Sequence, residues 1–252
     1  AFWRTYQVMP WHTDMGHIFD ASYRIFLGEI PYKDFLLLIS PLTFYVAAAC
    51  MKLFGFHYLV VRVYLAVQCA LLISLTYLFS ERALKLSRAQ CVFLSAFQII
   101  WAPQVMLGML FYDADATSLA LAAGCCLFRG WSDDRSSRFW SVAGGVLCAL
   151  CFWAKQDIGA GLIVGGLLGA AVTAWLRPSN RPHGLAFLSG LIGTFVLIIL
   201  YFTLQGALGD MFYWIVMRAV RYKWDWGEPA SRWETFSKLL SPFTTVVDRS
   251  SK

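Results

Sequence analysis

Residues 13–42, TDMGHIFDASYRIFLGEIPYKDFLLLISPL, decide how the rest of the chain is threaded. Asp14, His17, Asp20, Glu29, Lys33 and Asp34 crowd into this stretch, directly ahead of a series of long apolar segments, so the polar chemistry of the protein has its densest candidates here. Its second half runs into segment 35–54, which is apolar enough to cross a membrane yet carries Ser40 and Pro41 early and Lys52 late. Whether that segment crosses or lies along a surface sets the direction of every segment after it.

The rest of the chain explains why a membrane enters the reading at all. Of 252 residues, 59% are hydrophobic and 14% charged, with a mean hydropathy of +0.59. That is too apolar for an ordinary soluble surface. The apolar stretches are each about 17 to 25 residues long, the length that spans a hydrocarbon core of about 30 Å as helix, and they lack the alternation of an outer-membrane barrel. The expected class is an all-α polytopic membrane protein. The net charge of +6 is spread through short loops without a patch or stripe, which argues against nucleic acid as a partner. The seven cysteines include a single CxxC spacing, Cys148–Cys151, which lies inside an apolar segment with no second pair to complete a metal-ligand set, so they read as small buried hydrophobes.

Six spans are expected, at 58–79, 89–111, 114–128, 139–154, 158–175 and 185–204. The loops ERALKLSR (81–88), RGWSDDRSSR (129–138) and RPSNRPHG (177–184) carry Arg82, Lys85, Arg88, Arg129, Arg135, Arg138, Arg177 and Arg181. They alternate with FYDAD (111–115) and AKQDIG (154–159), which hold one cation, Lys155. The positive-inside rule therefore puts the first set on the cytoplasmic side. Residues 13–42, the two poorer turns and the long segment from Gln205 then share the extracytoplasmic face. This requires 35–54 to be a juxtamembrane helix instead of a span. The resulting division is an extracytoplasmic first loop with juxtamembrane helices at 1–57, a helix bundle at 58–204 and a second extracytoplasmic loop at 205–252. Because an outward loop opens a chain with neither initiator Met nor signal peptide, an anchoring helix is expected upstream and a further part downstream.

Several residues stand out against this background. Asp113 and Asp115 flank the turn before 114–128, where a carboxylate either caps the helix or faces a cavity or partner. Lys155, Gln156 and Asp157 interrupt a long apolar run; they form either a solvated turn with a snorkelling lysine or a source of charge for an anionic ligand. Arg62, within VVRVY, is either a headgroup-snorkelling side chain or a fork for phosphate. Trp214, Trp224, Trp226 and Trp233 cluster with Tyr213 and Tyr222 as an interfacial belt or as stacking surfaces for sugar. No GxxxxGK[ST], GxGxxG or HExxH motif occurs. The glycines of GLIVGGLLGAA (161–171) read as close helix packing.

Taken in order, D-x-G, a helix ending in GEIPYKDF, then SPL, KLFG and VVRV resemble the first-loop signature of the GT-C superfamily of membrane glycosyltransferases. The likeness is to the family 39 type, related to protein O-mannosyltransferases and aminoarabinose transferases. YDADATSLAL is similar to that family's entry into a later span, and FWAKQDIG to its K-Q or K-G turn. The resemblance implies a GT-C-like transmembrane bundle in a bacterial plasma membrane, acting on its outer face. The implied donor is a polyprenyl-phosphate-linked sugar, and the acceptor a hydroxyl of a glycan, lipid or protein. Asp14 matches the acidic position that serves as base, while Arg62 and Lys155 match positions near the lipid phosphate. Asp34, Lys33, Asp113, Asp115 and Gln156 complete the implied substrate-binding set, with Asp34 and Asp115 on sugar hydroxyls or a divalent cation. The chain departs from the family pattern with Asp14-Met15 in place of Asp-Glu, and with Ile39-Ser40-Pro41 in place of Lys-Pro-Pro, so Lys33 is the candidate for that lysine's role. A transporter or flippase of an anionic lipid-linked substrate is the alternative from another class, although the internal repeats common in transporters are not evident. A scaffold subunit that keeps the fold without the activity is a third.

Overall fold

The structure, a computed structural model, describes residues 13–37, 39–101, 112–132 and 138–217. Helix α1 spans Thr13–Leu27, α2 Leu42–Phe54, α3 Tyr58–Arg82, α4 Arg88–Trp101, α5 Tyr112–Ser132, α6 Arg138–Ala154, α7 Gln156–Leu176, α8 Arg181–Leu204 and α9 Leu208–Phe212. A 3₁₀ turn at Pro178–Asn180 precedes α8, and a π turn at Tyr213–Met217 follows α9. Among the described residues there is no strand, only an isolated bridge between Pro31 and Phe35.

Local chemistry sets the breaks in the decisive stretch. Gly28, at φ 98, ends α1, and its amide bonds Ile25 O while that of Glu29 bonds Arg24 O, the Schellman pattern that satisfies the last carbonyls. The chain then turns through residues 30–35. Tyr32 takes a positive φ of 70, and its hydroxyl donates to Ile39 O at 2.7 Å. Burial pushes the Tyr32 phenol above its ordinary pKa. Pro41 restrains Ser40 to a non-helical backbone and sits at the N-cap of α2, so helix begins only at Leu42. Thirteen residues of helix measure about 20 Å, short of a hydrocarbon core of about 30 Å. Segment 35–54 is therefore no single spanning helix.

Among the described residues, three helical stretches are long and apolar enough to cross a membrane: Leu59–Arg82, Gln156–Leu176 and Pro178–Leu204. This is fewer than the six expected. Helix α5 carries Asp113, Asp115 and Arg129, α6 has only 17 residues, and α4 is described only as far as Trp101. Helices α5 to α8 run up and down. Asp113 at the start of α5 meets Lys155 in the α6–α7 turn, whereas Asn180 before α8 donates to Trp131 O at the far end of α5, 3.3 Å away.

Two larger cores sit along the bundle, with a small third of Ala116, Cys151 and Ala154 between α5 and α6. One joins α5, α6, α7 and α8 through Ala123, Leu127, Cys148, Ala149, Ala170, Phe187 and Leu191. Glycine makes it possible: a Cβ on Gly145 would run into the Phe187 backbone, and one on Gly190 into that of Val142, so α6 and α8 cross backbone to backbone. In α7, Gly166 faces the Phe187 ring and Gly169 faces Trp131, while Gly161 and Gly165 face open space. Close packing thus accounts for part of that glycine run. The second core binds the first loop to the bundle, with Ile18, Ile25, Tyr32, Leu37, Phe44 and Met51 against Leu65, Trp153, Phe202 and Met211. The seven cysteines are free thiols, four of them buried.

Candidate functional site

Three of the polar candidates, Asp113, Asp115 and Lys155, meet where α5 begins. Asp113 and Asp115 both stand in the first turn of α5, where the positive end of the helix dipole favours carboxylates. Two residues apart on a helix, they point in different directions. Asp113 turns to the α6–α7 connection and makes an ion pair with Lys155 Nζ, which also lies 5.6 Å from the centre of the Tyr112 ring. Asp115 turns inward. Its Oδ2 accepts from Thr43 Oγ1 at 2.7 Å and Tyr64 Oη at 2.6 Å, and its Oδ1 accepts from Gln68 Nε2 at 2.6 Å.

One carboxylate therefore ties α5 to α2 and α3 with three uncharged donors. Tyr64 and Gln68 are one turn apart on α3 and so share a face, and Thr43 lies in the first turn of α2, which Pro41 places. Ser40 Oγ donates to Phe152 O at 2.9 Å, and Cys151 Sγ to Ala116 O at 3.2 Å, fastening the same end to the last turn of α6. Side-chain bonds from α2, α3, α6 and the α6–α7 connection thus surround the start of α5.

Lys155 is 26% exposed and Asp113 41%, so the pair faces outward from this junction. Burial pulls the Lys155 pKa down, but the hydrogen bond and charge of Asp113, with Asp157 and Tyr112 adding to them, hold it above its ordinary value. The ammonium remains a fixed cation through neutral pH. Arg62 lies on α3 two residues before Tyr64 and is 6% exposed, so its side chain runs into the protein instead of outward to a headgroup layer. Gln156 opens α7 beside Lys155 and is partly buried.

The remaining predicted residues lie elsewhere. Asp34 and Lys33 sit exposed in the turn after α1, where the Asp34 carboxylate accepts from the Ile30 amide at 2.7 Å and closes the turn. Asp14 falls at the second position of α1, and its side chain lies outside the described residues, as do Trp224, Trp226, Trp233 and Tyr222. Thr43, Tyr64 and Gln68 were missed in the sequence. For Tyr64 and Gln68 the signal is present, as two polar side chains at helical spacing inside an apolar span; for Thr43 there is none.

A divalent cation does not fit these donors. Asp115 is filled by O–H and N–H donors, Asp34 is spent on its own turn, and no group of three His, Cys, Asp or Glu among the described residues is placed to hold a metal ion.

Beside the junction lies an apolar cleft of about 860 Å³ between α2 and α3, lined by Cys50, Phe54, His57, Val60, Val63 and Tyr64 among others. Tyr64 belongs to both features, with its ring on the cleft wall and its hydroxyl on Asp115. Comparison with known protein families, with curated proteins and with solved structures finds no match for the chain.

Proposed function

We propose that the chain is a membrane glycosyltransferase that moves a sugar from a polyprenyl-phosphate donor to an acceptor hydroxyl, on the face where α5 begins. The observation that carries this reading is the placement of a fixed cation, Lys155, and a donor-filled carboxylate, Asp115, at one end of an apolar helical bundle, beside an apolar cleft. A lipid-linked anionic substrate asks for that combination: apolar surface for the chain and positive charge for the phosphate. The order of the first-loop motifs supports the same class.

In this mechanism Asp14 takes the proton of the acceptor hydroxyl as general base. The acceptor oxygen bonds to the anomeric carbon from the side opposite the phosphate, the carbon–oxygen bond to the phosphate breaks, and the phosphate leaves with the electron pair, so the configuration inverts. Lys155, drawn from Asp113, and Arg62 stabilise the charge that grows on the leaving phosphate in a region of low dielectric. Asp115 acts behind this site by fixing α2 and α3 against α5. Its three hydrogen bonds give it a positioning role in place of direct sugar binding.

The test is transfer itself. The protein reconstituted in vesicles and supplied with radiolabelled polyprenyl-phosphate sugars and acceptor is expected to yield labelled acceptor, and Asp14→Asn to lose transfer while retaining donor binding. Undiminished turnover by Asp14→Asn would remove Asp14 as the base. Movement of intact lipid-linked sugar across the bilayer without transfer would replace the enzyme reading with that of a flippase.

A further inference from the structure

A second, smaller cleft of about 440 Å³ lies between α2 and α8, lined by Pro41, Leu42, Tyr45, Trp153, Ile198 and Tyr201 among others. That size falls in the range of about 300 to 1,000 Å³ usual for small-ligand sites. Its walls are apolar and carry no charged side chain, but they are not without hydrogen-bonding capacity. Tyr45 Oη and Tyr201 Oη lie 3.1 Å apart. Two hydroxyls bring two protons, and their mutual bond uses one, so one O–H has no acceptor among the described residues. Trp153, 4% exposed, also has an indole N–H without an acceptor among them. The hydroxyl pair is the accessible donor of the wall, with Tyr201 39% exposed, whereas the Trp153 N–H is buried behind it; the free O–H favours a ligand that brings an acceptor.

The position of the cleft narrows the ligand further. Tyr201 stands one turn before the end of α8, within the membrane-length stretch Pro178–Leu204. Its neighbours Leu197, Leu200 and Leu204 are exposed and apolar, as a lipid-facing surface is. Tyrosine near the end of a span sits at the level where acyl chains meet the polar layer. The molecule available there with an apolar body, acceptors, no donors and no need of a countercharge is the glycerol-ester region of a membrane lipid.

We propose that the α2–α8 cleft binds one diacyl lipid of the surrounding bilayer, with an acyl chain along Leu197 and Ile198 and an ester carbonyl accepting from the Tyr45–Tyr201 pair. None of its lining residues belongs to the Asp113–Lys155 pair or to the Asp115 hydrogen bonds, and the proposal does not rest on the glycosyltransferase reading. Its consequence is selectivity between ester-linked and ether-linked lipids of identical headgroup, because the ether oxygen is a poorer acceptor than the carbonyl.

The test uses the full chain in phosphatidylcholine nanodiscs doped with a diazirine-tailed diacyl phosphatidylcholine or its diether analogue, with photolabelled peptides mapped by mass spectrometry. The expected result is labelling of the peptides containing residues 41–45 and 197–202, several-fold higher for the diester than for the diether. Ile198→Trp, which fills the cleft, should bring those peptides down to the labelling of the exposed face of α7. The double variant Tyr45→Phe, Tyr201→Phe should retain labelling but lose the diester preference. Equal labelling by the two lipids in the native protein, or labelling unchanged by Ile198→Trp in a protein that remains monodisperse, would overturn the proposal. Either outcome leaves the transfer assay unaffected, so the two readings fail separately.

Discussion

The two halves of this bundle are held together by different means. Around α6, α7 and α8, glycine removes side chains from the crossing and lets backbones touch, as at Gly145 against Phe187 and Gly190 against Val142. Around α2 and α3, side chains make the joint, with Asp115 holding Thr43, Tyr64 and Gln68 beside an apolar core. The first kind of joint has no slack, because backbone cannot rotate out of the way. The second can be undone by the loss or reorientation of a few polar atoms. Both clefts lie along α2, on the polar-tied side, and the proposed chemistry sits at the seam between the halves.

The comparison breaks hardest at Gly145. Gly145→Leu would drive its Cβ into the Phe187 carbonyl and Leu191 amide, and neither can move without shifting α8. The expected loss is about 3 kcal/mol or more, at the upper end of overpacking costs, read as a lowered thermal midpoint in nanodiscs. Gly161→Leu on α7, with no neighbour within 4 Å of its Cβ, should stay within about 0.5 kcal/mol of the native protein. Equal effects at the two positions would mean that the α6–α8 crossing is not the rigid joint.

Asp115 is the corresponding point in the polar half. Asp115→Ala leaves two hydroxyls and an amide without their acceptor, with an expected cost of about 2 to 3 kcal/mol. Asp115→Asn keeps one acceptor oxygen and turns the other into a donor, so it should lie between alanine and the native protein. Tyr64→Phe removes one donor along with the bond it makes and should cost about 1 kcal/mol. An Asp115→Ala protein that unfolds like the native one would show that α2 and α3 do not depend on this carboxylate.

How much of this could be read beforehand follows the same division. Helical class and order were legible, because apolar run length and the breaks at Gly28, Pro41 and Lys155 are local properties of the chain. The number of membrane-length helices was not, since average hydropathy ignores the charges at the start of α5 and the short extent of α6. Gly145 and Gly161 look alike in sequence, and only the crossing with α8 separates them. Asp113, Asp115 and Lys155 were picked out as acids and a cation in apolar surroundings, and two of the three join as a pair. That Asp115 would be filled by Thr43, Tyr64 and Gln68 depends on contacts 47 to 72 residues apart, which no local pattern reports.

The smallest structural effect belongs to the Asp113–Lys155 pair, and it separates cohesion from chemistry. Both side chains are substantially exposed, so solvent screens the pair and its share of stability is about 1 kcal/mol or less. Lys155→Met should therefore shift unfolding little, and combining it with Asp113→Asn should restore most of that shift, because the acid is no longer left without its cation. The pH dependence has a definite sign. The folded-state pKa of Lys155 is raised above its ordinary 10.5, so its contribution is complete below that value and is lost as pH rises through the folded pKa. Native and Lys155→Met proteins should then keep a constant difference in stability from pH 7 to 9 and converge only in strong alkali. If Lys155 also serves the leaving phosphate, transfer should fall at least a hundredfold in Lys155→Met at pH 7 while stability barely moves, and Asp113→Asn, which frees the same ammonium, should retain transfer. A Lys155→Met protein that loses stability and transfer in proportion would place this lysine with the joints of the bundle, not with its chemistry.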